Sequence, residues 1–342
     1  MTNQAAWIKE KQGKPLVIDE ADMYKPGAGE VLIRNHAVSI NPVDWVMQDH
    51  AFFPMSYPNI LGCDIAGEIV EVGPEVTDFK KGDRVISHAI NLVTGSPSHG
   101  AFQQYVIGQG NVTAIIPDNL AYEQAVVLPL AISTAACGLY QSHHLALPLP
   151  SIGAARLGKT LLVWGAASSV GSVAVQLANA SGFDVVATAS AKNIEYVKSL
   201  GAKVVLDYNS SSVEDDVVKA LQDGEFAGVF EAVAKPETLK VSLKAASRVG
   251  GGRLAPVLQV PEELLPANIK KAPEFIFAAS LYKESPEVAK AVWGEYLPAA
   301  LADGSFLAKP DPIVVGTGLE KIQDGFERHK QGVSAAKVVV KL

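Results

Sequence analysis

Leu161-Leu-Val-Trp-Gly-Ala-Ala-Ser-Ser-Val-Gly171 is the stretch on which the fold turns. Leu161 to Trp164 is an apolar run of the kind found in a buried parallel strand. Small residues follow it, and Ser172 to Ser181 continues with helical spacing. Strand, tight turn and helix in that order form the context of a dinucleotide-binding turn. Laid on G-x-G-x-x-G, the glycine positions fall on Ala166, Ser168 and Gly171, so one glycine of three is kept. An ordinary strand-to-helix turn reads the same way, and the neighbouring residues must decide.

They favour the dinucleotide. A second strand, Asp184 to Thr188, ends in Ala189-Ser-Ala-Lys-Asn193. A unit built for NAD carries a carboxylate about 20 positions past the turn, where it holds the ribose 2′-hydroxyl. This chain offers Ser190 and Lys192 there instead. A hydroxyl and an ammonium suit a 2′-phosphate, which an aspartate would repel. A third strand, Lys203 to Leu206, closes on Asp207-Tyr208-Asn209, whose ring can flank the adenine or its ribose. The joint expectation is NADPH, with its pyrophosphate at a helix N-terminus. Against it stands a plain reading of Lys192 and Tyr208 as solvated surface residues.

At 342 residues the chain suits two domains. A hydrophobic content of 48% with 19% charged residues describes a globular protein. A net charge of −7 without a basic run argues against nucleic acid as a partner. Cys63 and Cys137 make neither a disulfide framework nor a four-thiolate zinc site, and they fit a reducing compartment. Met1-Thr-Asn-Gln does not open a signal peptide, and no apolar run is read as a membrane span, so a cytoplasmic protein is expected.

Residues 4 to about 125 look mostly β. Leu16–Asp19, Val31–Ser39, Ile65–Val72, Arg84–His88 and Phe102–Ile107 are short runs parted by turn signals such as Lys25-Pro-Gly-Ala-Gly29, Gly73-Pro74 and Lys81-Gly-Asp83. They suggest a compact barrel-like domain. Tyr122 to Tyr140 reads as one long apolar helix. Strands beginning near Leu161, Asp184, Lys203, Phe226 and Gly252 then alternate with helices, which predicts a doubly wound parallel sheet in an α/β protein. Helical patterns recur at Ser285–Ala302 and Gly318–Lys330. Ala335–Leu342 reads as a strand that rejoins the N-terminal domain. The expected domains are residues 1–125 with about 285–342, and residues 126–284.

With these residues in hand, the chain resembles the medium-chain dehydrogenase/reductase superfamily over nearly its whole length. Gly62-Cys-Asp-Ile-Ala-Gly67, Val70-Glu-Val-Gly73, Phe79-Lys-Lys-Gly-Asp-Arg-Val85, Gly100-Ala-Phe102, Leu200-Gly-Ala202 and Lys337-Val-Val339 carry the likeness. Asn41-Pro-Val-Asp-Trp45 and Tyr57-Pro-Asn-Ile-Leu-Gly62 resemble the zinc-independent quinone oxidoreductases. Trp164 to Gly171 and Val333-Ser-Ala-Ala-Lys337 resemble a fungal branch of trans-acting enoyl reductases and toxin-cluster proteins. The likeness implies a GroES-like domain of β-barrel type beside a Rossmann domain. Zinc alcohol dehydrogenases place a cysteine ligand at Asn41-Pro42 and Gly-His-Glu at Gly62-Cys63-Asp64, and they add a four-cysteine lobe that is missing here. Catalytic zinc is therefore not expected, since too few ligands remain.

The resemblance also implies the site. Asn41, Pro42, Val43, Asp44 and Trp45 would line the nicotinamide and ribose end, and Thr134 would meet the nicotinamide. Ser168, Ser169, Val170 and Gly171 would hold the pyrophosphate. Ser190, Lys192, Asn193 and Tyr208 would take the 2′-phosphate side. Ala255, Pro256 and Val257 would flank the carboxamide, and Val333 and Ser334 would return from the C-terminal segment. Leu130, Ala131, Ile132 and Gly138, with Phe275 and Phe277, would form an apolar substrate wall. Plainer readings run alongside. Asn41 to Asp44 is also a helix cap with Pro42 at the first helical position. Thr134 can bond back within its helix. Tyr57 can be a packed aromatic, Cys63 a small core residue, and His36 and His88 bystanders.

The expected reaction is reduction of a carbon–carbon double bond conjugated to a carbonyl in a small hydrophobic enone or enoyl substrate. Tyr57 is the candidate donor toward the enolate, with water as its rival. Two alternatives stand: a quinone or ketone reductase, and an NADPH-binding partner subunit with little turnover of its own. The branch implies a polyketide assembly-line protein as a partner, and a monomer and a homodimer both stay open.

Overall fold

The computed structural model describes residues 2–271 and 275–342. It divides into two compact units. The first holds the chain up to Leu130, with Trp293–Gly304 and Ala308–Leu342; the second holds Ala131–Val292 and Ser305–Leu307.

The first unit is built on strands β1 (Asn3–Ile8), β2 (Val17–Ala21), β3 (Glu30–Ser39), β4 (Asn59–Ile60), β5 (Asp64–Val72), β6 (Arg84–His88), β7 (Tyr105–Gln109) and β8 (Thr113–Ile115). Two strands from the far end of the sequence, β15 (Asp311–Thr317) and β16 (Ala336–Lys341), join them. The larger sheet runs β15-β16-β3-β5-β6-β8, with β7 also on β3; a smaller one runs β2-β1-β4. β16 pairs antiparallel with β3, Val339 opposite Ser39, so the final apolar run does rejoin the N-terminal strands. Ile33, Val38, Ile65, Val85, Phe102 and Phe326 are buried in one core between the strands and the helix Lys321–Lys330.

The second unit holds a parallel sheet in the order β11-β10-β9-β12-β13-β14. Its strands are β9 (Lys159–Trp164), β10 (Asp184–Ala189), β11 (Val204–Asp207), β12 (Glu225–Glu231), β13 (Gly252–Pro256) and β14 (Ile269–Lys271). The order reverses between β9 and β12, which makes a topological switch point at their carboxyl ends. Leu162, Val186 and Val229 are buried among the side chains of Val217, Leu221, Leu239 and Leu243. This burial explains the continuous apolar runs of the strands.

The helices that matter for the site are α1 (Pro42–His50), α2 (Pro129–Tyr140), α3 (Ser169–Ala180) and α4 (Lys321–Lys330). The single helix expected over Tyr122–Tyr140 is broken. A short turn, Tyr122–Ala125, is followed by an interruption at residues 126–128, and α2 begins at Pro129. Proline lacks the N–H that would continue the helix and disfavours α geometry in the residue before it. Tyr122–Tyr140 does have the length and hydropathy to cross a membrane, contrary to the reading of the bare sequence; 78% of its most apolar 18-residue window is buried inside the protein, as a core helix would be.

Candidate functional site

In the second unit, the carboxyl ends of β9, β10, β11 and β13 carry the expected cofactor residues. Gly165 ends β9 in the left-handed region at φ 79°, and a Cβ there would lie 2.4 Å from Val233. This residue, one before the Ala166 of the motif alignment, makes the tight turn; the alignment missed it because it fitted the glycine spacing rather than the backbone. Its N–H bonds to Thr188 Oγ1 at 3.1 Å, and the N–H of Ala166 bonds to the Thr188 carbonyl at 2.9 Å. The turn is thus tied to β10. Ser168 caps α3, its Oγ accepting the Gly171 N–H at 3.0 Å. A Cβ on Gly171 would meet the Gly165 carbonyl oxygen at 2.4 Å and Ala166 Cα at 2.8 Å. The missing side chain therefore lets the helix start seat against the turn. Ser168, Ser169 and Val170 stay partly exposed.

The end of β10 presents Ser190, Lys192 and Asn193. The Asn193 amide donates to Ser190 Oγ at 3.1 Å, and Lys192 is exposed. Tyr208 follows β11, 44% exposed, with its N–H on the Ala189 carbonyl. Ser190 and Tyr208 thus stand at adjacent strand ends, in register through Ala189 and Asp207. Ala255 and Pro256 close β13 and are buried; the Val257 N–H is taken by the Glu231 carbonyl at 3.1 Å. Glu231, at the end of β12, was not foreseen. It is fully buried and accepts from Ser242, Thr238 and the Ala234 N–H, while burial pushes its carboxyl up to about 7.

The apolar wall divides. Ala131, Ile132 and Thr134 lie buried on α2. Gly138 faces packing rather than open space, since a Cβ there would meet Ile276 at 2.5 Å and Phe230 at 2.6 Å. Its smallness serves the fit of α2 against β12 and against Ile276. Phe275 and Phe277 are partly buried.

In the first unit, Asn41 caps α1 and Pro42 opens it. The expected residues here part ways. Pro42, Val43 and Trp45 reach the surface wholly or in part, whereas Asn41 and Asp44 are each 2% exposed and turn inward. The Asn41 Nδ2 donates to Asp64 Oδ2 at 2.7 Å, and its Oδ1 accepts from the Lys337 ammonium. Asp44 Oδ2 accepts the Asn41 N–H at 2.7 Å, and its Oδ1 faces the Cys63 thiol at 3.8 Å. Both polar ends of each side chain are thus used inside the unit. Asp64 also accepts from Ser39 and from the Leu130 N–H at 2.7 Å, and Lys337 Nζ lies 3.3 Å from it.

This buried cluster was not legible as a unit. Burial, with the nearby Asp64, pushes the Asp44 carboxyl up to about 7; burial and both carboxylates push the Cys63 thiol well up; burial holds His88 down at about 4. Among the described residues, no group of three or more His, Cys, Asp or Glu side chains is arranged to hold a metal ion. The Asp64 carboxylate and the Asn41 amide, at positions where the zinc relatives differ from this chain, are engaged by Lys337, Ser39 and the Leu130 N–H.

Tyr57 is partly buried against the core of this unit, just before β4. Val333 and Ser334 lie between α4 and β16, Val333 against the same core and Ser334 exposed. His329, in the last turn of α4, accepts the Trp45 indole N–H on its Nδ1 at 3.1 Å; nothing in the sequence pointed to it.

Two family models match the chain: the alcohol dehydrogenase GroES-like domain over residues 27–118, and zinc-binding dehydrogenase over residues 169–276. The dehydrogenase orsE of Emericella nidulans is 43% identical, across 100% of this chain and 99% of that protein. The trans-enoyl reductase himH of Aspergillus japonicus is 42% identical, across 100% and 98%. A crystal structure of an alcohol dehydrogenase superfamily protein from Novosphingobium aromaticivorans superposes with a TM-score of 0.80 at 27% identity, covering all of both chains. With a GroES-like unit, a doubly wound sheet and full-length relatives of this kind, the chain belongs to the medium-chain dehydrogenase/reductase superfamily and is an oxidoreductase.

Proposed function

We propose that this protein is an NADPH-dependent, zinc-independent reductase of carbon–carbon double bonds conjugated to a carbonyl. The observation that carries the reading is the full-length likeness, at 42% identity, to a protein named as a trans-enoyl reductase. It joins a sheet end that carries the residues expected of a dinucleotide site. The start of α3, with Ser168 to Gly171, would take the pyrophosphate, because helix N–H groups point along the axis toward an anion. Ser190 and Lys192 would hold the 2′-phosphate, with Tyr208 beside the adenosine. When bound, NADPH supplies a hydride. Pro42, Val43 and Trp45 would line its nicotinamide end, held by the Asn41–Asp64–Lys337 cluster beneath them.

The chain's own part in the chemistry is orientation and charge. Hydride arriving at the β-carbon leaves an enolate, and a hydroxyl donor near its oxygen stabilises that charge. The Tyr57 hydroxyl is the donor we assign, with water delivering the proton to the α-carbon. The substrate in this reading is a hydrophobic enone or an enoyl group, free or carried by a polyketide assembly-line protein. Incubating the protein with an α,β-unsaturated ketone and 4-deuterated NADPH tests it. The saturated ketone with deuterium on the β-carbon is expected. An allylic alcohol as the main product, or turnover of quinones alone, would overturn the reading.

A further inference from the structure

Trp45 and His329 lie 284 positions apart in the sequence, and the fold brings them together in the first unit. The indole Nε1 is 3.1 Å from His329 Nδ1, with the ring centres 6.4 Å apart and the planes tilted by 44°. An indole N–H only donates, so Nδ1 must be the bare, accepting nitrogen of the imidazole. The proton of the neutral ring then sits on Nε2. The surroundings keep the ring neutral: burial, the Lys337 ammonium and the Arg328 guanidinium together hold its pKa down at about 4. Lys330, whose ammonium is 5.9 Å from the Trp45 ring centre, is paired with Asp49 and Glu327. The imidazole is therefore fixed in one tautomer around neutral pH. Trp45 itself is only partly buried, so its ring owes its orientation to this bond as well as to packing.

We propose that His329 is a positioning residue of the cofactor site: its Nδ1 sets the plane of the Trp45 indole, which presents one fixed face to the nicotinamide and ribose end of NADPH. The inference rests on the cofactor reading given above. Trp45 lies on α1 and His329 in the last turn of α4, four residues before Val333; these are segments that the cofactor reading assigns to the nicotinamide end.

The test is NADPH titration of the full chain in wild type, His329→Phe, His329→Gln, Trp45→Phe, and the combination of His329→Phe with Trp45→Phe. His329→Phe should weaken NADPH roughly tenfold and raise the KM for NADPH more than it lowers kcat, as loss of one well-placed hydrogen bond implies. His329→Gln, whose amide oxygen can accept the indole N–H, should recover most of the loss. The combined variant should bind no more weakly than Trp45→Phe alone, since coupled residues are not additive. The 15N-indole resonance of Trp45, assigned by its disappearance in Trp45→Phe, should shift in His329→Phe. Wild-type affinity in His329→Phe, or the same loss when Trp45 is already phenylalanine, would overturn the proposal. An unmoved indole resonance would overturn the hydrogen bond itself, even with no cofactor present. Failure of wild type to bind NADPH with the resonance shift intact would instead overturn the cofactor reading.

Discussion

Replacing Lys337 by methionine keeps an unbranched apolar stem one atom shorter and removes the charge from a closed space. Lys337 is 5% exposed and Asp64 fully buried, with Nζ 3.3 Å from Asp64 Oδ2. Asp64 would keep the Ser39, Asn41 and Leu130 donors but lose the ammonium. Removing one partner of a buried ion pair costs about 3–5 kcal/mol, because the other charge stays behind unbalanced. In urea that is a midpoint shift of about 1–2 M. Asp64→Asn alone should cost about as much, since it strands the ammonium instead.

Together the two changes should cost less than either. The amide that Asp64→Asn introduces can keep the Leu130 N–H on its oxygen. Its nitrogen can donate to Ser39 and to an Asn41 side chain turned over once Lys337 no longer needs its oxygen. The assay is equilibrium urea unfolding followed by tryptophan fluorescence at pH 6, for wild type, both single variants and the pair. A double variant that loses the sum of the two single losses, or a Lys337→Met protein as stable as wild type, would refute the argument that this is a coupled buried pair.

Asp44 gives a prediction with a definite sign. Its carboxyl holds a proton up to about pH 7 in the fold, against an ordinary value of 3.8, so stability should fall as pH rises between those values. Asp44→Asn should flatten that loss, by up to roughly a few kcal/mol, in melting temperatures compared at pH 5 and pH 8. Lys192→Ala should weaken NADPH roughly ten- to a hundredfold and leave NADH nearly unchanged, and adding Ser190→Asp should reverse the preference. Titration of both cofactors decides this, and equal wild-type affinity for the two would sink it. Purified protein should hold no stoichiometric zinc by metal analysis and keep its activity in chelator; one zinc per chain, lost together with activity, would contradict the site described. Gly171→Ala should abolish tight NADPH binding, because its Cβ would meet the Gly165 carbonyl at 2.4 Å; tight binding in that variant would remove the turn from the cofactor site.

The strands β9 to β13 were legible because both faces are covered, so burial writes itself as unbroken apolar runs. β15 was not, since its residues are largely exposed or half-exposed and carry no such run. The turn at 165–171 could be found, but its working glycine could not, because a positive φ belongs to the backbone path rather than to spacing. Asn41 and Asp44 were noticed, but their turn into a buried cluster was not. Which way a polar side chain turns depends on what waits for it, and Lys337 is 296 positions from Asn41. Trp45 was read as a site residue without the histidine that orients it, for the same reason of distance along the chain.

That separation of 296 positions also orders the birth of the protein. At about 5–20 residues per second, a ribosome needs roughly 15–60 s to go from Asn41 to Lys337. During that interval the whole parallel sheet of the second unit emerges, while the first lacks the strand that brings its lysine. The nascent N-terminal strands therefore wait with an uncompensated acidic centre, and the sheet translated later is the one able to fold first. A chaperone met on the way out would find its client in the earlier half of the chain.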